Sequence, residues 1–490
     1  MQFPALITIY REHRLWMWLI GAAVTGCILG FTPPLVAVSW LIGLAALGLT
    51  LCDPVWPVAL AVLSVPFQQL VILPGGLSLT QACFVLVALS LIGRIHQPWP
   101  KLTAPGLSLA VLVWCLALAA AATPLSRTEG LKETLRWGTV LLIYVATVWV
   151  LQDRLRAAWR RTVLVTCLLV APAITALIGV TQFVNGFGPE SFAIGGGRVR
   201  AYGTIGQPNS FAGYLNQSWP LAVGMLIALV ETRQYHIRFW MLFSILLVAT
   251  GSLLGGLLAS FSRGGWIGAL IGALAMGIAF GGRYGRAMLI RVGMAALLVG
   301  LSGLLLINSG LLPTALSNRV VSIIASLRPF DTRNVEITPE NFAVVERMAH
   351  LQAAWHMVQE RPLLGVGPGN FSIAYERLVY SGQSPTWIKP WYDSRGHAHN
   401  YYLHITAESG LIGASAYLVF LGSIWYSAIR ALRQAQTWMI RGITLGGIGV
   451  AGALNGHNLF ENLHVLNMGV QFGVIIAMLA TIDAERKEEL

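Results

Sequence analysis

Continuous apolar stretches recur along the whole 490-residue chain, separated by short polar turns. Each can cross roughly 30 Å of hydrocarbon as a helix of about 20 residues. They do not alternate apolar with polar positions as barrel strands must, so in lipid their backbones are satisfied only as helices. Fourteen stretches are predicted, near 14–30, 34–51, 55–73, 77–93, 105–122, 135–151, 160–180, 208–230, 239–260, 265–281, 287–308, 400–428, 441–457 and 464–482. Pro57 and Pro66 interrupt the third, and an early re-entrant pair would reduce the count to twelve. The expected fold is all-α: a polytopic transmembrane helical bundle of 12–14 spans with a mostly helical extracytoplasmic lobe.

Two longer segments, 181–207 and 309–399, break the pattern. They divide the chain into N-terminal transmembrane helices (1–180), transmembrane helices with an outer loop and the Ser262-Arg263-Gly264-Gly265 turn (181–308), the lobe (309–399) and C-terminal transmembrane helices (400–490). Within the lobe, Thr338-Pro339-Glu340 reads as an N-cap, a proline at the first helical position and an acidic first turn. Val344, Met348, Leu351, Trp355 and Val358 then follow at helical spacing, predicting an amphipathic helix over about 340–360. Pro362 ends it, and Gly365-Val366-Gly367-Pro368-Gly369 reads as a tight turn. The Ala- and Gly-rich stretch 265–281 predicts close helix packing.

Composition sharpens the class. The chain is 56% hydrophobic and only 11% charged, with mean hydropathy +0.68, outside the range of soluble globular proteins. Its net charge of +12 is spread over alternate ends of the spans, at Arg94, Arg154, Arg156, Arg160, Arg161, Arg233, Arg238, Arg283, Arg286, Arg291, Arg430, Arg433 and Arg441. That is the positive-inside pattern and places both termini in the cytoplasm. It leaves no single basic face for nucleic acid. The first stretch lacks a small-residue cleavage site and reads as a retained helix. The five cysteines lie in or beside early spans, which supports neither a disulfide framework nor a zinc knuckle.

Ionisable groups outside the cytoplasmic set mark the candidate chemistry. Arg263 lies in a glycine-flanked turn, Arg200 with Arg198 precedes Gly206-Gln207-Pro208-Asn209, and Arg347 is on the lobe helix. Guanidinium forks match phosphate oxygens, and Gly264 and Gly265 would let backbone N–H groups approach an anion. A snorkelling anchor or an ordinary salt bridge is the alternative for each. His397-Ala398-His399-Asn400 stands where the lobe re-enters a span, and His399 is the candidate general base. Asn400 could position it or bond a sugar. His404 and Glu408, with His457, Glu461 and His464, could form a polar wall. Asp393, His397, His399 and His404 have metal-ligand types, but their spacing matches no closed zinc pattern, so no metal or other cofactor is expected. Tyr401, Tyr402, Tyr392, Trp387 and Trp391 would suit sugar stacking or an interfacial belt.

Ser262-Arg263-Gly264-Gly265-Trp266-Ile267-Gly268, Arg347 ahead of Arg361-Pro362-Leu363-Leu364-Gly365-Val366-Gly367-Pro368-Gly369-Asn370-Phe371, and His399-Asn400 ahead of Gly410-Leu411 together resemble the O-antigen ligase and polymerase superfamily. Gly203-Thr204-Ile205-Gly206-Gln207-Pro208-Asn209-Ser210 fits as well, and the resemblance covers about 195–465. It implies transfer of a glycan from undecaprenyl pyrophosphate to an acceptor hydroxyl at the outer face of the cytoplasmic membrane, without metal or nucleotide. His399 would be the base, and Arg263, Arg347 and Arg200 would hold the pyrophosphate in an inverting displacement. The same chemistry serves an exopolysaccharide polymerase. Relatives linked to inorganic carbon uptake lack the histidine-asparagine element, which this chain has. A small-anion transporter is the competing class. It would require ionisable groups at span centres, and none stands out. The expectation that follows is spatial: Arg200, Arg263, Arg347 and His399 should meet in a cleft beside the outer leaflet.

Overall fold

The computed structural model describes residues 26, 34–73, 76–309, 331–332, 335–338, 341–380 and 396–485. The predicted helix at 14–30 and residues Pro339, Glu340, Trp387, Trp391, Tyr392 and Asp393 lie outside the described residues. Sixteen α-helices are present among those described: α1 (Pro34–Cys52), α2 (Val55–Ser64), α3 (Leu79–Ile92), α4 (Ala104–Ala122), α5 (Arg127–Leu151), α6 (Arg154–Asn185), α7 (Pro208–Asn216), α8 (Trp219–Val230), α9 (Ile237–Ala259), α10 (Arg263–Tyr284), α11 (Arg286–Asn308), α12 (Phe342–Glu360), α13 (Phe371–Tyr380), α14 (Tyr401–Gln434), α15 (Trp438–His457) and α16 (Gly469–Glu485). The described strands are two short antiparallel pieces, β1 (Ala193–Gly195) and β2 (Arg198–Val199). The all-α polytopic expectation is borne out. By length and composition alone, α4, α5, α6, α9, α10 and α14 can each cross a membrane, and shorter apolar helices lie at Val38–Cys52, Val55–Phe67 and Leu79–Ile92.

Two predicted spans are not continuous. The 208–230 stretch breaks at Gln217–Ser218, because Pro220 in the first turn of α8 can neither donate to Asn216 nor pack against its carbonyl. Helix α14 kinks at Gly410, whose φ of 65° and ψ of −170° are non-helical. A side chain there would collide with the Leu363 carbonyl oxygen. The kink frees carbonyls that the glycine turn uses: Val366 N–H donates to Ala407 O (2.9 Å), Gly367 N–H to Glu408 O (2.8 Å), and Leu411 N–H to Pro362 O (2.8 Å). The Gly365–Gly369 turn is thereby laced to the start of α14.

The Gly-rich α10 packs backbone to backbone on α15. A Cβ at Gly268 would fall 2.6 Å from Ala453 O, and one at Gly272 would fall 2.7 Å from Gly449 O. Small residues every fourth position remove the bulk that would hold the axes apart, as expected where lipid supplies no hydrophobic drive between helices.

The lobe helix spans the expected range, with Thr338 in the capping pair at its start, and its buried face is wider than expected. It begins at Phe342 with Asn341 as N-cap. Thr338 Oγ1 accepts from Asn341 N–H (3.3 Å) and Asn341 Oδ1 accepts from Thr338 N–H (2.8 Å), a capping pair just ahead of the first helical turn. Met348 and Val358 of the expected face are buried, as are Val345, Ala349, Ala353 and Met357 beside them, and Trp355 is 56% exposed. The alanines among them let α12 approach α13 and Ala398 closely.

Up-and-down topology gives the bundle two chemically distinct ends. One carries Arg94, Arg156, Arg160, Arg283, Arg433 and Arg441 at helix termini. The other carries the 186–207 loop, the starts of α10 and α14, the end of α15 and the lobe.

Candidate functional site

The chain from 396 to 400 is fixed by its covalent neighbours. His399 has φ of 50°, a left-handed conformation rare for a residue with a Cβ. Asn400 caps α14, its side-chain oxygen accepting from Leu403 N–H (3.0 Å), and Tyr401 N–H donates to Asn458 O (2.8 Å). Asn400 therefore acts on backbone, and the strained turn holds His399 against the end of α15.

Glu461 is the hub. It is 5% exposed. One oxygen, Oε2, accepts from Asn209 Nδ2 (2.6 Å), and Asn209 Oδ1 accepts from Arg200 Nη2 (2.8 Å). The other, Oε1, pairs with His397 Nε2 and lies 3.7 Å from His399 Nδ1, near enough for charge attraction but too far for a hydrogen bond. The two imidazole rings sit 4.4 Å apart. Arg200 is oriented by a second bond, from Nε to Ser260 O (2.9 Å). One buried carboxylate so joins the 397–399 histidines to Arg200. In the sequence Glu461 was only one of several polar residues between the last two spans. The signal that singles it out is compensation: a carboxylate at that depth needs partners, and His397 contacts it directly while Arg200 reaches it through Asn209.

Arg263 is the first residue of α10, with Ser262 as N-cap accepting from Gly265 N–H (3.2 Å). The flanking glycines do not form a free anion nest. Gly265 N–H is taken by Ser262, and a Cβ on Gly264 would fall 2.8 Å from the His457 ring and 3.0 Å from Phe460 Cβ. In this turn Gly264 packs on the 457–460 segment, one residue from Glu461, and a Cβ on Gly265 would fall 2.7 Å from Ala212 Cβ. Arg200 reaches Ser260 in this same turn. Arg347 lies close enough to His399 for its charge to act on the imidazole, and His350, three residues on, stacks on His399 at 5.7 Å and 17°. Arg200 and His399 are thus linked through Glu461 and Arg347 acts on His399, while for Arg263 the contact described is that of its turn with the 457–460 segment.

Other expected members do different work. Glu408 accepts from Gly369 N–H (2.9 Å) and Phe371 N–H (3.0 Å), clamping the glycine turn rather than walling a cleft. His404 is buried 3.6 Å from Glu408 with its ring against Phe371. His457 is fully buried beside Asn216 (3.3 Å) and Gly264. Arg198 is exposed over the Phe183 ring, away from Glu461. Tyr401 is a core residue, 3% exposed against Tyr417 and His464, so it is not a sugar platform. Tyr402 donates its hydroxyl to Asn455 O (3.0 Å).

The electrostatics follow from burial. Burial pushes the His399 imidazole below the usual histidine range; Glu461 opposes this, while His397 and Arg347 add to it. For Glu461, burial alone would raise the carboxyl, but His397 and His399 together hold it well below the ordinary range. At neutral pH this leaves an ionised carboxylate beside an unprotonated His399, the form that accepts a proton. His397, His399 and Glu461 also offer ligand atoms all within 4.8 Å of one another, the types a divalent ion takes.

Residues 246–418 match the family model described as O-antigen ligase. That span contains Arg263, Arg347, His399 and the Gly365–Gly369 turn, while Arg200, Asn209 and Glu461 lie outside it. A search of curated proteins finds no match. Helical bundle, site motifs and this match agree, and residues 246–418 are similar to the O-antigen ligase family.

Proposed function

We propose that the protein transfers a glycan from undecaprenyl pyrophosphate to an acceptor hydroxyl, acting as a ligase at the periplasmic or exterior face of the cytoplasmic membrane with both termini in the cytoplasm. The observation that carries this reading is the Glu461 hub, which joins a proton-accepting imidazole to a guanidinium at the bundle end opposite Arg94, Arg160, Arg283 and Arg441. In the proposed step, His399 Nε2 takes the acceptor's hydroxyl proton while its Nδ1 faces Glu461. The freed oxygen bonds to the anomeric carbon from the side opposite the carrier. The bond from that carbon to the pyrophosphate oxygen breaks, and the pyrophosphate leaves with its electron pair, stabilised by Arg263, Arg347 and Arg200. The polyprenyl tail remains in lipid throughout.

Gel analysis of surface glycans after gene deletion separates ligase from polymerase. Loss of attachment with long chains still present is expected, whereas collapse to single repeats indicates the polymerase. The trio of ligand types favours a second reading in which a divalent ion sits between His397, His399 and Glu461. Transfer that persists in chelator supports the base, and transfer lost in chelator and restored by added metal supports the ion.

A further inference from the structure

The arginine-bearing end of the bundle, remote from Glu461, holds a cavity of about 430 Å³ between α2, α3, α5 and α6. Its polar side is lined by Arg94, Arg156, Arg160 and Asp153, and Asp53, outside the lining, pairs with Arg156 and Arg160, so three guanidiniums stand against two carboxylates with one net positive charge. Arg160 is fixed: Nε and Nη2 bond Asp53 at 3.0 and 2.9 Å, and Nη1 bonds Val150 O at 2.7 Å. Arg156 is more available, 61% exposed with a single 3.3 Å contact to Asp53. Trp149 lines the same cavity, is 4% exposed, and its indole N–H has no hydrogen-bond acceptor among the described residues. A buried donor left in that state points to an acceptor that arrives from outside the chain. The opposite wall, with Val58, Val87 and Leu91, is apolar, and the exposed side chains of Leu51 and Ile92 carry apolar surface on at the adjoining helix ends.

We infer that this cavity binds the phosphodiester headgroup of an anionic phospholipid. The phosphate oxygens meet Arg94, Arg156 and the Trp149 N–H, and the acyl chains run along Leu51 and Ile92. One negative charge matches the net charge of the site, and Arg forks with a neutral N–H suit a phosphodiester. Inorganic phosphate shares the charge chemistry but gains nothing from the apolar wall. This site is independent of the transfer reaction.

Native mass spectrometry of the full-length protein, titrated with phosphatidylglycerol or phosphatidylcholine in micelles, tests it. The wild type should retain phosphatidylglycerol preferentially. The double variant Arg94→Ala/Arg156→Ala should bind it about tenfold more weakly, and Trp149→Phe should weaken it while keeping the ring. Thermal unfolding of the lipid-free variants, with the Arg160–Asp53 pair intact, should match wild type. Equal binding of both lipids, or unchanged affinity in both variants, overturns the proposal. Displacement of bound phosphatidylglycerol by millimolar inorganic phosphate assigns the cavity to a soluble anion and overturns the lipid source.

Discussion

Glu461 and His399 form a base and its partner in which neither charge state is intrinsic to the residue. His397 and His399 hold the carboxylate ionised against burial, and burial, aided by His397 and Arg347, keeps the His399 imidazole neutral although Glu461 opposes it. On the proposed chemistry, His399→Ala should lower transfer by roughly 10²–10⁴-fold. Glu461→Gln keeps the shape and the bond to Asn209 but removes the charge, and should cost about 10²-fold by loosening the ring's position. It should also move the acid limb of the kcat/KM profile further down, because Glu461 is the group that raises the His399 pKa. In the wild type that limb should fall below the ordinary histidine value of about 6.5. A Glu461→Gln profile superimposable on wild type would remove Glu461 from the mechanism. At this scale residue type alone drew attention to Arg263 and His399, whose proposed roles Arg263→Ala and His399→Ala test. The sequence was not legible where role depends on what lies across the fold. Glu408 and His404 share residue types with Glu461 and His399, yet contacts with Gly369 and Phe371 make them clamps.

The helices were readable because continuous apolarity of spanning length leaves no other backbone solution in lipid. Their interruptions were less so. Pro220 and Gly410 were in plain view, but whether a proline or glycine breaks a helix depends on whether another segment takes the freed carbonyls. Here the 362–367 backbone does so at Gly410. Gly410→Ala should therefore destabilise the protein by about 1–2 kcal/mol from its left-handed φ alone, and by more from the collision with Leu363. Thermal unfolding in detergent measures it. Gly268→Leu, outside the Glu461 hub, should separate α10 from α15 and cost at least about 1–3 kcal/mol by overpacking. A wild-type melting temperature for either variant contradicts the packing described. The lobe helix carries the complementary lesson: Met348 and Val358 of the expected face are buried, but close packing extends the buried surface to Ala349 and Ala353 and leaves Trp355 out.

Across the whole molecule the charges are sorted by end. Arg94, Arg156, Arg160, Arg283, Arg433 and Arg441 stand at one end, while Glu461, His397, His399 and His464 stand at the other with Arg200, Arg263 and Arg347. Burial lowers the His464 imidazole to about 3, with Arg136 adding to the effect, and His399 is shifted the same way. A histidine with a depressed native pKa costs nothing above its unfolded value near 6.5. Below that value the unfolded chain binds the proton and the native state does not, so stability falls with pH, for His464 down to about 3. Glu461, depressed in the same sense, loses its contribution below the ordinary carboxylate range. Unfolding temperature should therefore drop steadily as pH falls below about 6.5, and a flat profile from pH 7 to 4 would contradict the buried placement of these groups. The account as a whole turns on one reaction at one end of this bundle. Single-turnover transfer from an undecaprenyl-pyrophosphate glycan by purified protein in chelator, comparing wild type with His399→Ala and Arg263→Ala, tests it most directly. The account predicts product from wild type and at least a hundredfold loss in both variants, with Arg263→Ala no less impaired than His399→Ala. Wild-type rates in both variants, or no product from the wild type, would contradict it.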